Sequence, residues 1–416
     1  MENRLMILGS LEEFVHLVEL AGKRGIYTVV CDGYPGSPAK SAADKSYDIP
    51  VTEIDTIAEI CRRENINGII TSFSDLLFEC MVKIAHKAGL KCYLTPELLP
   101  YYRDKTVMKE MFEKLGIPTQ KSVCLDKDFT DEQLSGLRFP IVTKPVDKYG
   151  SRGIYVLDSP RRIRELFDTV CASSDVKKIL VEEYHNGYEF NMMSWVLDGR
   201  VHVISIADRE KTPIGPEEIP ISTRNVYPSR LYDHVIDEAS RILQKIADFT
   251  GQKDGALSMQ FFWDSQNGLS VCEAAGRFLG YEHELIEMAS GFSIEELLLD
   301  YVYDPESLRR NLTAHDSRLK NTCAVLYFQG HNKTIKSQQK AREIANREGV
   351  VFSQFFYEEG ETVIHGSRPY VARYYVTAKD RSELDARTES IFRDISITAE
   401  DGSEILFADR IPDYPK

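Results

Sequence analysis

The chain has 416 residues, 43% of them apolar, which is enough for two to four domains with sizeable cores. A formal net charge of −14 argues against nonspecific nucleic-acid binding and against attachment to anionic membranes. No apolar run approaches the ~20 residues of a membrane helix. The N-terminus enters a strand without a secretory h-region, and eight scattered cysteines form no Cys-x-x-Cys, so a cytoplasmic protein with reduced thiols is expected.

Strand and helix alternate through the first hundred residues. Leu5–Leu8, Tyr27–Cys31 and Gly68–Thr71 read as strands, and Glu12–Lys23, Ile54–Arg63 and Leu76–Ala88 have helical periodicity. Strands separated by helices imply a parallel sheet of βαβ units, a Rossmann-like domain over residues 1–97. No Gly-x-Gly-x-x-Gly follows the first strand, so a NAD or FAD site is not expected. Asp32 and Asp75 fall at strand ends, where a substrate contact and a solvated loop acid are both open readings.

Leu94–Pro100 reads as a linker and Arg103–Leu115 as a helix, stopped by Gly116-Ile-Pro118. Phe139–Pro145 is a short apolar run carrying Lys144, a charge seldom buried without a partner. Tyr149-Gly-Ser-Arg-Gly153 is a small loop whose backbone N–H groups could line phosphate oxygens, with an ordinary hairpin turn as the alternative. Lys178–Tyr184 is a strand running into two acids, followed by His185–Phe190 and the strand-like Met192–Leu197. Asp208, Arg209, Lys211, Arg224 and His283 are polar groups that could meet a substrate, or lie on the surface.

Gly255–Asp264 and Gly268–Arg277 form a hairpin about the turn-rich Asp264–Gly268. Alternation puts Met259 and Phe261 on one face and Gln260 and Phe262 on the other. Glu273, with Arg277 just beyond, suits a magnesium-bound phosphate, because the metal takes hard oxygens and arginine grips phosphate in a planar fork. Surface charges at a strand end are the alternative. Tyr303–Glu306 marks a break, after which the tail is strand-rich again: Ala324–Phe328, Val350–Phe352 and Tyr370–Val376, with helix-like stretches at Ser337–Arg347 and Ser382–Arg393. This tail could close an acceptor pocket or form a homodimer surface.

The order and separation of Asp104-Lys105, Lys144-Pro145, the glycine loop, Val181-Glu-Glu-Tyr184, Gly187-Tyr-Glu-Phe190, Gln260 and Glu273 resemble the ATP-grasp superfamily, of the carboxylate–amine ligase type. The resemblance implies a mixed α/β and α+β fold: the Rossmann-like domain, an ATP-grasp domain over 98–304 with a lysine and flap lobe to about 197 and a metal lobe after it, and a C-terminal α+β extension over 305–416. It implies that Lys105 and Lys144 contact ATP phosphates and that Gly150, Ser151, Arg152 and Gly153 form the flap. It further implies that Glu182 accepts from the adenine amino group, that the Glu183 carbonyl and the His185 N–H meet the adenine edge, and that Glu189 binds the ribose. Gln260 and Glu273 match the ligands of Mg2+, or alternatively Mn2+, and Arg277 the group facing the transferred phosphoryl, so that Arg277 and Lys144 carry catalysis. Many relatives have Glu-x-Asn-x-Arg where this chain has Glu273-Ala-Ala275-Gly-Arg277, which removes one metal-ligand oxygen. The expected activity is ATP-dependent joining of a small-molecule carboxylate to an amine through an acylphosphate, without nucleic-acid or membrane partners. A bicarbonate-activating carboxylase or synthetase, and a non-catalytic ATP-binding protein, are the alternatives. No second ATP-grasp half or biotin-carrier segment appears, which weighs against the carboxylase, and Ala275 motivates the non-catalytic reading.

Overall fold

The computed structural model describes residues 2–146, 154–174, 176–212, 221–279, 283–365 and 368–407. The N-terminal strands β1 (Arg4–Leu8), β2 (Tyr27–Asp32), β3 (Lys45–Asp48) and β4 (Gly68–Ile70) form a parallel sheet in the order β3-β2-β1-β4. Leu5, Met6, Ile7 and Leu8 are all fully buried because helices cover both faces. The helices expected here are present at Val15–Lys23, Ile54–Arg63 and Asp75–Ala88, the first preceded by a 3-10 turn at Glu12–Phe14. The expected linker is instead mostly helical, with a 3-10 turn at Pro96–Leu98 running into the helix Leu99–Arg103. The charged strand β3 has no apolar alternation to betray it; Lys45, Ser46 and Asp48 are exposed at the sheet edge.

A small antiparallel sheet follows: β5 (Ser122–Leu125), β6 (Ile141–Pro145), β7 (Tyr155–Leu157) and β8 (Ile179–Glu183), in the order β5-β8-β6-β7. Its core holds Ile141, Leu157, Ile179 and Val181 against the helix Pro160–Val170. The helix Lys105–Leu115 is capped at its start by the Asp104 carboxylate, which accepts from the Thr106 and Val107 N–H groups, and it ends at left-handed Gly116.

The third sheet has eight strands. These are β9 (Tyr188–Leu197), β10 (Arg200–Lys211), β11 (Ser222–Tyr227), β12 (Gly255–Asp264), β13 (Gly268–Ala275), β14 (Thr322–Gln329), β16 (Val350–Phe355) and β17 (Tyr370–Ala378); a separate two-stranded ribbon pairs β15 (Ile335–Ser337) with β18 (Thr398–Ala399). The order is β13-β12-β9-β10-β11-β14-β17-β16. Two boundaries differ from the sequence reading. The small and large sheets separate at 184–187 and not near 197, because β9 pairs with β12 from Tyr188 onward. The tail beyond 304 continues the large sheet, since β14 pairs with β11 through Arg224–Tyr227. Among the described residues no helix is long and apolar enough to cross a membrane.

Candidate nucleotide site

The site forms where the small sheet faces the β12–β13 hairpin. The two are tied by backbone and side-chain bonds: the Val271 N–H donates to the Pro118 carbonyl at 2.7 Å, and the Thr119 hydroxyl donates to the Val271 carbonyl at 2.8 Å.

Glu182 sits at the centre of the small-lobe side and is only 3% exposed. Lys144 reaches it from β6, where Val142 is opposite Glu182 and Lys144 lies on the same face two residues on. Lys109 reaches the other oxygen, Nζ to Oε1 at 2.8 Å. Burial on its own would raise the Glu182 pKa; the Lys144 and Lys109 charges overcome it and hold the group at about 2. Burial would lower the Lys144 ammonium, and Glu182 instead holds it well above its ordinary range. Lys105, one helical turn before Lys109, donates to the Pro145 carbonyl at 3.5 Å. Its burial lowers its pKa against the opposing pull of Glu273, which is near enough to act on it. Lys109 was not singled out from sequence, although its i, i+4 spacing from Lys105 was available.

Glu182 was expected to accept from an adenine amino group, and in this structure both its oxygens are engaged by lysines. Glu183 points to the opposite face and pairs with Arg138, accepting from Nη2 at 3.0 Å. His185 folds back over the hinge: its Nδ1 accepts from the Gly187 N–H at 3.0 Å, its ring stacks on Phe262 at 4.9 Å, and Nε2 lies 3.4 Å from Asp264. Burial, partly opposed by Asp264, lowers its pKa. The flap residues Gly150, Ser151, Arg152 and Gly153 lie outside the described residues.

Across the site Glu189, 4% exposed, accepts from Arg209 at 2.9 Å and also contacts Lys211 and the Gln260 amide nitrogen. Burial raises its pKa, and Lys211 with Arg209 more than reverses that, leaving the carboxylate ionised. Gln260 stands directly opposite Glu273, and a bulge follows it: Gln260 pairs Glu273 while Phe261 pairs Val271. Cys272 is therefore the extra residue. In an unbroken strand Glu273, two residues after Val271, would share its core face; the bulge at Cys272 turns Glu273 to the site. The thiol of Cys272 is pushed up by burial, partly relieved by Lys144.

The donor set fits one magnesium ion. With its nitrogen on Glu189, Gln260 keeps its amide oxygen for coordination, and Glu273 adds a carboxylate. Among the described residues no group of three His, Cys, Asp or Glu side chains is placed to hold a metal ion, so phosphate oxygens and water would complete the shell.

Arg277, expected to face the transferred phosphoryl group, is engaged by Asp75 in this structure. Its Nε and Nη2 form a bidentate fork on Asp75 at 2.8 and 2.6 Å, and Nη1 donates to the Phe278 carbonyl at 2.8 Å. Arg103 joins the same carboxylate at 3.2 Å. Asp75, at the first turn of its helix, is thus a clamp between the Rossmann-like domain and the hairpin. All eight cysteines are free.

A family model described as "ATP-grasp domain" matches residues 137–283, and one described as "PylC-like, N-terminal domain" matches residues 5–91. A formate-dependent phosphoribosylglycinamide formyltransferase of Synechococcus sp. (strain WH7803) is 21% identical over 273 residues, which cover 62% of this chain and 66%, just under two thirds, of that protein. The carbamoyl phosphate synthase large chain of Pyrococcus furiosus is 23% identical over 279 residues, covering 61% of this chain and 26% of that one. Among solved structures, an L-amino acid ligase from Bacillus licheniformis superposes with a TM-score of 0.80 at 17% identity, over 96% of this chain and 99% of that one. Phosphoribosylglycinamide synthetase from Anaerococcus prevotii gives 0.73 at 19%, over 96% and 100%. Residues 137–283 therefore match an ATP-grasp domain, and the fold of the chain is shared with these structures over nearly its whole length.

Proposed function

We propose that the protein is an ATP-dependent ligase that activates a carboxylate and couples it to an amine, releasing ADP and phosphate. The observation that carries this reading is the opposition of two charge sets: Lys105, Lys109 and Lys144 around Glu182 on one side, and Glu189, Gln260 and Glu273 on the other. Cations able to take a polyphosphate face oxygens able to take its metal.

In this reaction a substrate carboxylate oxygen attacks the γ-phosphorus, the bond to the β–γ bridging oxygen breaks, and ADP leaves. The amine nitrogen then attacks the acyl carbon of the acylphosphate, a proton leaves the nitrogen, and phosphate departs. Magnesium on Gln260 and Glu273 would neutralise charge on the β- and γ-oxygens. Lys144 and Lys105 hold the phosphates as partly buried point charges, which act more strongly than charges in bulk water. Glu182 keeps Lys144 in place until phosphate competes for it. Glu189, ionised and buried, offers acceptors to ribose hydroxyls.

The test is ADP release over pooled amino acids and small carboxylates, with mass spectrometry of the product. Release that needs both a carboxylate and an amine, with a coupled product, supports the ligase. Release driven by bicarbonate alone replaces it with a carboxylase-type reaction, and ATP binding without turnover replaces it with a nucleotide sensor.

A further inference from the structure

The end of β10 carries charges of opposite sign on its two faces. Arg209 and Lys211 point to Glu189 in the nucleotide site, while Asp208 and Glu210, 3% and 1% exposed, point the other way. There they meet the helix Arg381–Asp394 of the C-terminal segment. Arg381 donates to Asp208 and to Glu210, each at 2.7 Å, with its third nitrogen on Asp385 at 2.9 Å. Buried Arg224 grips Glu210 from β11 at 2.6 and 3.0 Å.

Asp208 also accepts from the Ser229 hydroxyl at 2.6 Å and the Arg230 N–H at 3.2 Å, but the backbone at this end of the strand is weakly paired. Its ladder with β9 stops at Asp208, opposite Phe190, and its ladder with β11 breaks register between Glu210 and Lys211. Three residues are therefore held on one edge only, at an irregularity. Because adjacent side chains of a strand are rigidly opposed, whatever fixes Asp208 and Glu210 also fixes where Arg209 and Lys211 stand.

We propose that Arg381 is a positioning residue for the nucleotide site: by bridging Asp208 and Glu210 it sets the end of β10, and so holds Lys211 where it meets Glu189. The C-terminal segment thereby becomes part of the ATP site without touching it. This rests on the ligase reading for the identity of the ligand.

The experiment is a double-mutant cycle on the full chain, with magnesium AMP-PNP binding by calorimetry and thermal unfolding of each variant. Arg381→Ala should weaken nucleotide binding roughly tenfold, and Arg381→Ala with Lys211→Ala should bind no more weakly than Lys211→Ala alone. Arg381→Lys, whose point charge reaches one carboxylate and not both, should fall between wild type and Arg381→Ala. If Arg381→Ala does not fold, Arg381→Lys is read against Lys211→Ala in the same cycle. A merely structural arginine would lower the melting temperature with affinity unchanged, or would add fully to Lys211→Ala; either result overturns the proposal alone. A wild-type chain that binds no nucleotide overturns it together with the ligase reading.

Discussion

At Glu182 one carboxylate is shared by two ammonium groups, and its removal leaves two like charges facing each other. Glu182→Gln should cost about 3 kcal/mol in urea unfolding at neutral pH, the range for breaking a buried pair from one side. The pH dependence has a definite sign. The folded carboxyl is depressed to about 2, so its contribution is complete above the unfolded value near 4.5 and is lost as pH falls towards 2. The gap between wild type and Glu182→Gln should therefore close across that acid window, and a constant gap would show that the lysines do not hold the carboxyl down. Lys144 runs the other way: its contribution is present below the unfolded ammonium value of 10.5 and is lost above it. Glu273 has a different task. On the proposed ligase reading, Glu273→Gln would leave Lys105, Lys144 and Glu189 for the nucleotide but take away the carboxylate proposed for the metal, so turnover should drop at least ~100-fold, about 2.7 kcal/mol of barrier, with ATP affinity nearly unchanged. Rapid-quench measurement of ADP formation checks this, and intact turnover moves the metal elsewhere.

At the scale of the element, the hinge between the two sheets turns on Gly187. A Cβ there would stand 2.6 Å from both the His185 ring and the Trp263 carbonyl, so the turn that folds His185 back accepts no side chain. Gly187→Ala should shift the hinge and weaken ATP binding about tenfold, with a smaller loss of melting temperature; equal affinity in a titration would detach the hinge from the nucleotide. The hinge, like the lysine strand and the acidic hairpin, was legible as a set of spacings. The runs Gly255–Asp264 and Gly268–Arg277, read as a hairpin about a turn-rich break, form strands at Gly255–Asp264 and Gly268–Ala275, and Ile54–Arg63 is the helix read from its period. What alternation could not give was the bulge at Cys272, which depends on partner register and decides which way Glu273 faces. Nor could sequence give the fork of Arg277 on Asp75, which joins residues 202 apart in the chain. The helix Tyr232–Thr250 was not picked out, although its buried face carries Val235, Ala239, Ile242, Leu243 and Ile246 at helical spacing.

At the scale of the whole molecule, the tail beyond residue 304 reads in sequence as an appended α+β unit, but the eight-stranded sheet runs through it. β14 lies between β11 and β17, and Tyr227, Cys323, Val325 and Tyr327 share one core with Trp195 of β9 and Leu285 of the helix His283–Ser290. Cutting the chain after Asp304 would bare the β11 edge, a template for aggregation. It would also strip Asp208 and Glu210 of Arg381, and would leave Arg224 without Asp385 and Thr388. Buried charges that lose partners are among the costliest defects a fold can carry. A chain of residues 1–304 should therefore be insoluble, or expanded and dye-binding, and the full chain should unfold in one calorimetric transition that includes its C-terminal strands. A soluble 1–304 chain that melts cooperatively and binds ATP would make the tail a separate domain and would remove the physical link between Arg381 and the nucleotide site.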